Sequence, residues 1–543
     1  MRGWRTACSP GVLSRRIGES IMTTENRKCL LGLWALALAC AIVLNLMNLA
    51  FGALNQDEGW YLYGARLAAE GQQPYVDFAT TQGPVMTYGY ALANPLVSAM
   101  GVAGGRLYTS LLGLVGSLLA ALLAYRLSRG ISPRAGAYAA LMAFALIGVN
   151  VYQSYFCTIV KTYSLTSLLL TTGLLSLSCI QADRVRLPAL LGGVLIMLAA
   201  GTRASAVLVL PVVFLVLVLQ RKSSPGIAAA CWFAAGVVIA GLGIFLPFMV
   251  QAPESVWFAM VEYHSGRSGG GLVSSLAYKG GFLSRLVLAY AAASVVGAIV
   301  LAHAFTSKRA PGCSGWLHRA LWVSVLVVTL VHFMAPFPYD DYQVFIYPVA
   351  AVSLAVTVVA LRDDFTTLLA VLLVSLVMAF SSPQIHAWFL GERDRIWWPL
   401  RAASPLAVLQ ETAAEIRDLP GVEAGDMILT QDPYLAVETG LRLPEGLELG
   451  QFSYFPDMDR ERADRLHVLN ADSFRDVLRE SDAPVAAFSG YGLSIRSPEI
   501  APLSESEQAE LWDIIRGRYE LLKTVEPFGQ ADTALKILTP RSR

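Results

Sequence analysis

Two adjacent carboxylates, Asp57 and Glu58, follow directly on a long apolar run near the N-terminus. They stand in the polar stretch NQDEGWYLYGARLAAEGQQPYVDFATTQGP, residues 55–84. A carboxylate so placed can take a proton from a hydroxyl group as a general base. Aspartate is also common at a helix N-cap, so the pair could instead cap a helix that begins near Gly59. One residue can serve in both roles.

Cationic and polar side chains recur at the ends of other apolar runs, on the same predicted side of the chain. Phosphate binding is one role for them, and contact of Lys161 and Arg203 with lipid headgroups is another. The segment VEYHSGRSGGG is either a solvated loop or one that closes over a phosphate. The turn PFPYDDYQ is either a polar connection or part of the same site. The candidate phosphate-binding residues are Lys161, Arg203, His264 and Arg267.

Cations combined with an isolated carboxylate suit the transfer of a sugar from a polyprenyl phosphate. The cations hold the departing phosphate, and the carboxylate takes the proton of the incoming hydroxyl. Phosphate leaves without protonation, whereas a glycosidase needs a second carboxyl group to protonate its leaving group. A lipid-borne donor reaches such an enzyme laterally from the bilayer, so a largely apolar protein is expected.

The composition agrees with a membrane protein, because 55% of the 543 residues are hydrophobic and 15% are charged, against about 25% charged in soluble domains. Apolar runs long enough to span a bilayer predict about eleven transmembrane helices. A further apolar run at 85–103 predicts a helix at the membrane surface. The predicted spans are 30–50, 106–126, 135–151, 162–180, 187–202, 204–220, 227–250, 285–306, 317–336, 343–361 and 365–381.

Basic residues in every second short connection predict the orientation. The tail 1–29 is then cytoplasmic, whether translation starts at Met1 or at Met22. The long loop 51–105, within the transmembrane domain 30–381, and the C-terminal region 382–543 face the outside. The first apolar run is too long for a cleaved signal peptide. A bacterial cell membrane is the expected location.

The C-terminal region differs in charge from the rest, with a net charge of −10 against +11 for residues 1–381. DMILTQ and PVAAFSG predict strands, and LAVLQETAAEIRDL, SFRDVLRES and SEQAELWDIIRGRYELL predict helices. Alternating strands and helices indicate a soluble α/β domain. It contains no nucleotide or metal motif, which favours a lid or a docking domain. The near-zero overall charge gives no argument for nucleic-acid binding.

The motif DEGWYLYGARLAAEGQQPYVDF…QGPV resembles the first outer loop of GT-C superfamily glycosyltransferases, in particular bacterial relatives of protein O-mannosyltransferases and of the lipid A aminoarabinose transferase. TRASAVLVLPVVFL and YQVFIYPVAAVSLA also resemble parts of that family. The resemblance implies Asp57 as the catalytic base with Glu58 beside it. The same motifs contain the candidate substrate-binding residues Tyr61, Tyr75, Gln82 and Tyr342. The resemblance further implies a polyprenyl-phosphate sugar donor and a lipid, glycan or protein acceptor.

One position departs from the family pattern. Many relatives carry an acidic residue near the start of the fourth span, whereas this chain reads FCTIVKTYSL with Lys161 there. A second catalytic carboxylate is therefore in doubt, and dependence on a divalent cation stays open because some relatives use one and others do not. Two alternative functions are a transporter or flippase of lipid-linked sugar, and a polymerase or ligase of surface polysaccharide. A transporter is expected to show repeated halves with broken helices at the bilayer midplane.

Overall fold

The computed structural model describes residues 24–220, 226–266, 272–307, 315–380, 403–490, 493–530 and 533–541. Up to residue 380 these ranges are almost wholly helical, with short 3-10 or π-helical turns at Ala204–Leu208, Phe258–Glu262 and Asp340–Gln343. In chain order the helices are α1 (Thr24–Phe51), α2 (Gln56–Ala69), α3 (Pro84–Ala91), α4 (Asn94–Met100), α5 (Val102–Ser128), α6 (Pro133–Gly148), α7 (Val151–Phe156), α8 (Tyr163–Leu177), α9 (Arg186–Thr202), α10 (Val209–Leu219), α11 (Gly226–Gln251), α12 (Pro253–Trp257), α13 (Tyr263–Ser265), α14 (Leu272–Ala289), α15 (Ala291–Ser307), α16 (Gly315–Met334), α17 (Tyr347–Leu361) and α18 (Phe365–Phe380).

The long apolar helices confirm a polytopic membrane protein. Within the described ranges, α1, α5, α11 and α16 are each long and apolar enough to cross a bilayer, and α14 with α15 could form a fifth crossing. That pair is bent by 92°, so the predicted span 285–306 is not one straight helix. The remaining apolar helices have 10–17 residues, and the number of eleven crossings stays a prediction. Helix α1 begins at Thr24, before the predicted start near residue 30.

The segment after α1 is built of helices rather than of open loop. Helix α2 begins at Gln56 because Asn55 caps it: the Asn55 side chain accepts a hydrogen bond from the backbone N–H of Asp57, and the Glu58 side chain accepts one from the backbone N–H of Asn55. This reciprocal arrangement is a capping box. The expectation that Asp57 caps a helix starting near Gly59 is therefore wrong.

The predicted surface helix over 85–103 is divided into two short helices. Helices α3 and α4 are separate, and the turn at Gly101 leads from α4 into α5. Gly101 has a φ of 59°, a backbone conformation that glycine adopts readily and side-chain-bearing residues rarely adopt. The chain therefore turns at Gly101 and enters the long helix α5.

The C-terminal part is a mixed α/β domain, as the sequence predicts. Its main sheet has the strand order β1-β2-β6-β5, in which β1 and β2 are parallel and the other neighbours are antiparallel. The predicted domain boundary at residue 382 lies outside the described residues. The elements are α19 (Pro405–Arg417), β1 (Ile428–Thr430), α20 (Pro433–Thr439), α21 (Arg460–Arg465), α22 (Ala471–Glu480), β2 (Val485–Phe488), β3 (Ile495–Arg496), β4 (Ala501–Pro502), α23 (Glu505–Arg518), β5 (Tyr519–Phe528) and β6 (Thr533–Pro540).

One predicted helix in this domain is too long. The helix expected over SEQAELWDIIRGRYELL ends at Arg518, and its last four residues begin β5. The reason is tertiary: β5 pairs along its length with β6, with Leu521 opposite Leu538. Cross-strand pairing of this kind overrides a weak local helical pattern.

The C-terminal domain packs directly on α2. Gly59 lies against the start of α20, and a Cβ at this position would lie 2.4 Å from the backbone nitrogen of Tyr434. One turn along α2, the Tyr63 hydroxyl accepts a hydrogen bond from the backbone N–H of Leu443 at 2.9 Å. The helix that carries Asp57 is therefore held by the C-terminal domain.

Candidate functional site

A cavity of about 460 Å³ lies where the end of the helical bundle meets the C-terminal domain. Its walls come from α2, from the connection before α8, from the residues after α9 and α16, and from the C-terminal domain. Seven candidates from distant parts of the sequence line it together. They are Asp57, Tyr61, Gln82, Lys161, Arg203, His264 and Tyr342.

Asp57 presents its carboxylate to this cavity from the first turn of α2. Its side chain is 25% exposed, and its Oδ2 lies 3.3 Å from Nζ of Lys161. Its backbone N–H is bound by the Asn55 side chain at 3.1 Å. The positive end of the helix dipole favours a negative charge at this position. Asp57 is therefore an accessible anion on a fixed backbone.

Lys161 bridges two carboxylates. Its Nζ is 2.9 Å from Oδ2 of Asp341, in addition to its contact with Asp57. Burial acts to lower the pKa of Lys161, but Asp341 and Asp57 outweigh it and raise that pKa well above the ordinary value. Burial likewise acts to raise the pKa of Asp341, but Lys161 and the Tyr163 hydroxyl outweigh it and lower that pKa. The charge of Lys161 is thus balanced inside the protein, which argues against a phosphate-binding role.

Arg203 is placed differently. Its guanidinium lies between two aromatic rings, 4.8 Å from the centroid of Tyr163 and 4.8 Å from that of Tyr342. One nitrogen donates to Thr162 Oγ1 at 3.1 Å, while Nε has no partner in the described ranges. Stacking on aromatic faces holds a guanidinium without neutralising it. Arg203 therefore offers a positive charge at the cavity wall, while its unpaired Nε is buried.

Glu58 does not line the cavity, although it follows Asp57 in sequence. Its side chain and that of Arg106 are both 0% exposed, and they form two hydrogen bonds of 2.7 and 2.8 Å. Glu58 also accepts from the backbone N–H of Val160 at 3.2 Å. The prediction that Glu58 is catalytic needs correction, because a group without access to the cavity cannot contact a substrate.

Tyr75 also lies away from the cavity. It is 1% exposed, it packs edge-on against Phe248, and its hydroxyl donates to the backbone carbonyl of Gln82. The predicted substrate contact of Tyr75 is therefore replaced by a structural one, in which Tyr75 positions a neighbour that does line the cavity.

The two candidates of the glycine-rich segment differ in outcome. His264 lines the cavity, and its Nε2 lies 3.1 Å from the carbonyl oxygen of Thr81. That nitrogen is therefore occupied by a backbone group in this structure. Arg267 lies outside the described residues.

Other lining residues were not singled out in the sequence. His332 is 5% exposed and lies at the end of α16, where Gln343 donates to its Nδ1 at 2.9 Å. An ionisable residue inside an apolar helix is a usable signal, and it could have identified His332. No such signal marks Trp60, Gln451 or Phe452. The last two lie almost 400 residues from α2 in sequence, so no local pattern predicts that they line the same cavity.

The acidic residues do not form a metal-binding cluster in the described ranges. No group of three or more His, Cys, Asp or Glu side chains there is arranged to hold an ion. Asp57 and Asp341 share the ammonium group of Lys161 instead. Asp340, next in sequence, is paired with Arg285 at 2.8 Å and accepts from the Tyr152 hydroxyl. The residues present therefore do not fit a divalent cation between the two cavity carboxylates.

No protein-family model and no curated protein matches the chain. Among solved structures, ArnT from Cupriavidus metallidurans in the apo state matches with a TM-score of 0.60 at 12% identity, covering 93% of this chain and 98% of that one. ArnT bound to undecaprenyl phosphate matches with a TM-score of 0.58 at 13% identity and the same coverage. The oligosaccharyltransferase of Archaeoglobus fulgidus gives a TM-score of 0.49 at 13% identity, covering 91% and 73%. The chain has the GT-C fold of ArnT, which confirms the predicted fold class.

Proposed function

We propose that this chain is an inverting glycosyltransferase that moves a sugar from a polyprenyl phosphate to an acceptor hydroxyl. The observation that carries the proposal is that Asp57 and Arg203 line one cavity: an accessible carboxylate, and a cation that forms no ion pair in the described ranges. The fold supports it, since ArnT has this fold and has been crystallised with undecaprenyl phosphate.

The reaction needs one proton transfer and one displacement. The acceptor hydroxyl gives its proton to the Asp57 carboxylate as its oxygen attacks the anomeric carbon of the donor. The bond from that carbon to the phosphate oxygen breaks, and its electron pair leaves with the polyprenyl phosphate. Attack from the face opposite the leaving group inverts the anomeric configuration.

Arg203 stabilises the charge that develops on the departing phosphate. Its guanidinium is held in advance by Tyr163 and Tyr342, so little reorganisation is needed when the charge forms. Lys161 has a different role. It orients the Asp57 carboxylate, and Asp341 on its other side keeps Lys161 in place.

The location follows from the same chemistry. The donor lipid enters the cavity from the bilayer, and the acceptor, a lipid, glycan or protein, comes from the aqueous side. The charge pattern of the short connections supports a cytoplasmic N-terminus and a C-terminal domain outside the cell membrane. The acceptor then meets the donor beneath that domain.

The test uses purified full-length protein in lipid nanodiscs with a panel of radiolabelled undecaprenyl-phosphate sugars. Release of the sugar from its lipid is measured for the wild type, for Asp57→Asn and for Asp77→Asn. Asp77 is a matched control because it lies in the same segment 51–105, accepts a local hydrogen bond from the backbone N–H of Gln73, and is not among the described residues that line the cavity. Turnover that is lost in Asp57→Asn and kept in Asp77→Asn supports the proposal.

Two results would count against it. Full turnover by Asp57→Asn would place the base elsewhere. If the wild type consumes no donor but moves intact lipid-linked sugar across the bilayer of a liposome, the protein is a flippase instead.

A further inference from the structure

One wall of the cavity carries four neutral side chains, two from α2 and two from the C-terminal domain: Gln56, Trp60, Gln451 and Phe452. We propose that this wall, here called the amide–aromatic wall, binds a neutral polyhydroxylated ring, that is, a carbohydrate. The inference rests on the proposed function and adds a subsite to it. The ring belongs either to the donor sugar or to an acceptor glycan, which present the same chemistry.

The aromatic part of the wall is a Trp–Phe pair. The ring centroids of Trp60 and Phe452 are 4.8 Å apart, with an interplanar angle of 66°. Both side chains are half-buried. A sugar ring has C–H groups on its faces, and such groups pack favourably on aromatic rings, which combine a large apolar surface with a negative face.

The amide part offers one acceptor and one donor that lack partners in the described ranges. Gln56 is 3% exposed; its Nε2 donates to Asp432 at 3.0 Å, and its Oε1 is unpaired. Gln451 is 1% exposed, and its Nε2 is unpaired. Buried polar groups without partners are costly. Both unpaired atoms are buried in the ligand-free cavity wall, so a ligand reaches them only if the amides turn toward it. A sugar hydroxyl donates and accepts, so a polyol can then satisfy both amides, whereas a phosphate can satisfy only the donor.

Side chains of the C-terminal domain bind the backbone of the amide–aromatic wall. The backbone carbonyl of Gln451 accepts from Ser494 at 2.9 Å, and that of Phe452 accepts from Ser497 at 3.2 Å. On the α2 side, the backbone N–H of Gln56 donates to Gln530 at 3.0 Å. Donors and acceptors fixed before binding lose little entropy when a ligand arrives.

Charge divides the cavity into two halves. The C-terminal domain contributes no charged side chain to the lining in the described ranges, although the region from residue 382 carries a net charge of −10. The charged lining residues, Asp57, Lys161, Arg203 and Asp341, all come from the helical part. A phosphate therefore belongs beside Arg203, and an uncharged hydroxylated group belongs beside the amide–aromatic wall.

The test compares Gln451→Met with Gln431→Met in the full-length protein in nanodiscs. Methionine keeps the length of glutamine and removes its hydrogen bonds. Gln431 is a matched control because it is in the same domain, is 5% exposed and has an unpaired Nε2, but does not line the cavity. Binding is measured for undecaprenyl phosphate, for its glucosyl, galactosyl, mannosyl and aminoarabinosyl derivatives, and for the free sugars and their disaccharides.

If the ring is that of the donor, the wild type prefers one glycosylated lipid over undecaprenyl phosphate. Gln451→Met then reduces this preference about tenfold, the size of one or two lost hydrogen bonds. Its affinity for undecaprenyl phosphate stays unchanged. If the ring is that of the acceptor, the lipid preference is unaffected and binding of a free saccharide falls by the same factor.

The inference is overturned if Gln451→Met equals both the wild type and Gln431→Met in all these measurements. Should Gln451→Met fail to fold, Phe452→Leu takes its place with the same expectations. Failure of the proposed function looks different: the wild type then binds neither undecaprenyl phosphate nor its derivatives. In that case binding of the free saccharides alone decides whether the amide–aromatic wall is a carbohydrate subsite.

Discussion

Asp57 and Glu58 are neighbours in sequence and occupy two regions with opposite properties. Asp57 lies on the cavity wall, one quarter exposed, with Lys161 at 3.3 Å. Glu58 lies inside the bundle with no exposed surface, bound by the Arg106 guanidinium through two hydrogen bonds. Each carboxylate has a cation, yet only the first can meet a substrate.

The difference shows that two adjacent acidic residues can have separate roles, one at a cavity where a substrate can bind and the other in stabilising the fold. Successive side chains on a helix point about 100° apart, so Asp57 and Glu58 face different surroundings. Glu58 completes the capping box of α2 and ties that helix to α5 through Arg106. It thereby holds the backbone from which Asp57 reaches the cavity.

The largest expected effect is the loss of turnover in Asp57→Asn. The amide cannot accept the acceptor proton, and general-base catalysis is worth about 10²–10⁴-fold in rate. We expect sugar release to fall by about a thousandfold while the thermal unfolding temperature stays unchanged. A fall in stability without a change in kcat would reverse the roles given to Asp57 and Glu58.

The next effect is on stability, in Glu58→Gln. Removing one partner of a buried ion pair leaves the other charge uncompensated, which costs about 3–5 kcal/mol. Chemical unfolding in detergent should show this loss, while the turnover of the remaining folded protein stays close to that of the wild type. The double variant Glu58→Leu/Arg106→Met should recover part of the stability, because it leaves no unpaired charge. The recovery is incomplete, because the backbone groups that Glu58 and Arg106 bind lose their partners. A double variant as unstable as the single one would contradict this account.

A third carboxylate, Glu448, sharpens the comparison because it is 7% exposed and forms no ion pair in the described ranges. Burial raises its pKa from 4.5 to about 7. The folded state then keeps this proton to higher pH than the unfolded state, so stability falls as the pH rises between these two values. The full loss is about 3 kcal/mol.

Glu448→Gln should remove most of this pH dependence. Unfolding temperatures at pH 5 and pH 8 should lie closer together in the variant than in the wild type, with the variant the more stable at pH 8. An equal pH dependence of stability in both proteins would show that burial does not raise the pKa of Glu448.

The smallest effect is expected for Asp341→Asn. The variant keeps a hydrogen-bond acceptor for Tyr163 and removes one of the two charges that hold Lys161. Lys161 then pairs more tightly with Asp57, whose carboxylate is less available to the acceptor hydroxyl, so we expect kcat to fall about tenfold with little change in KM. Turnover as low as that of Asp57→Asn would mean that Asp341 itself contacts the reacting groups.

Much of the fold could be predicted because it depends on local patterns. The long apolar runs predict the helices of the membrane part, and the short apolar segments DMILTQ and PVAAFSG predict β1 and β2. Strands β5 and β6 were not predicted, since YELL carries a helical pattern and becomes a strand only through its pairing with β6. The bend between α14 and α15 has no Pro or other local signal in AYAAA.

The candidate site was predicted in part for the same reason. Asp57, Arg203 and Tyr342 stand out because polar residues at the ends of apolar runs are conspicuous. The side-chain environments could not be predicted: Lys161 looks like a free cation in sequence and proves to be balanced by two carboxylates. No residue near Gln451 in the sequence marks it as part of a site.

The sequence by itself determined that the chain is a membrane protein with a separate acidic α/β domain, because hydropathy and charge act over short stretches of chain. It also determined which residue types are available at the ends of the apolar helices. Only the tertiary structure decided that Asp57 faces a cavity while Glu58 is buried, and that Gln451 and Gln56 line the same cavity. These facts depend on packing between segments that are far apart in sequence, and local periodicity carries no information about such contacts.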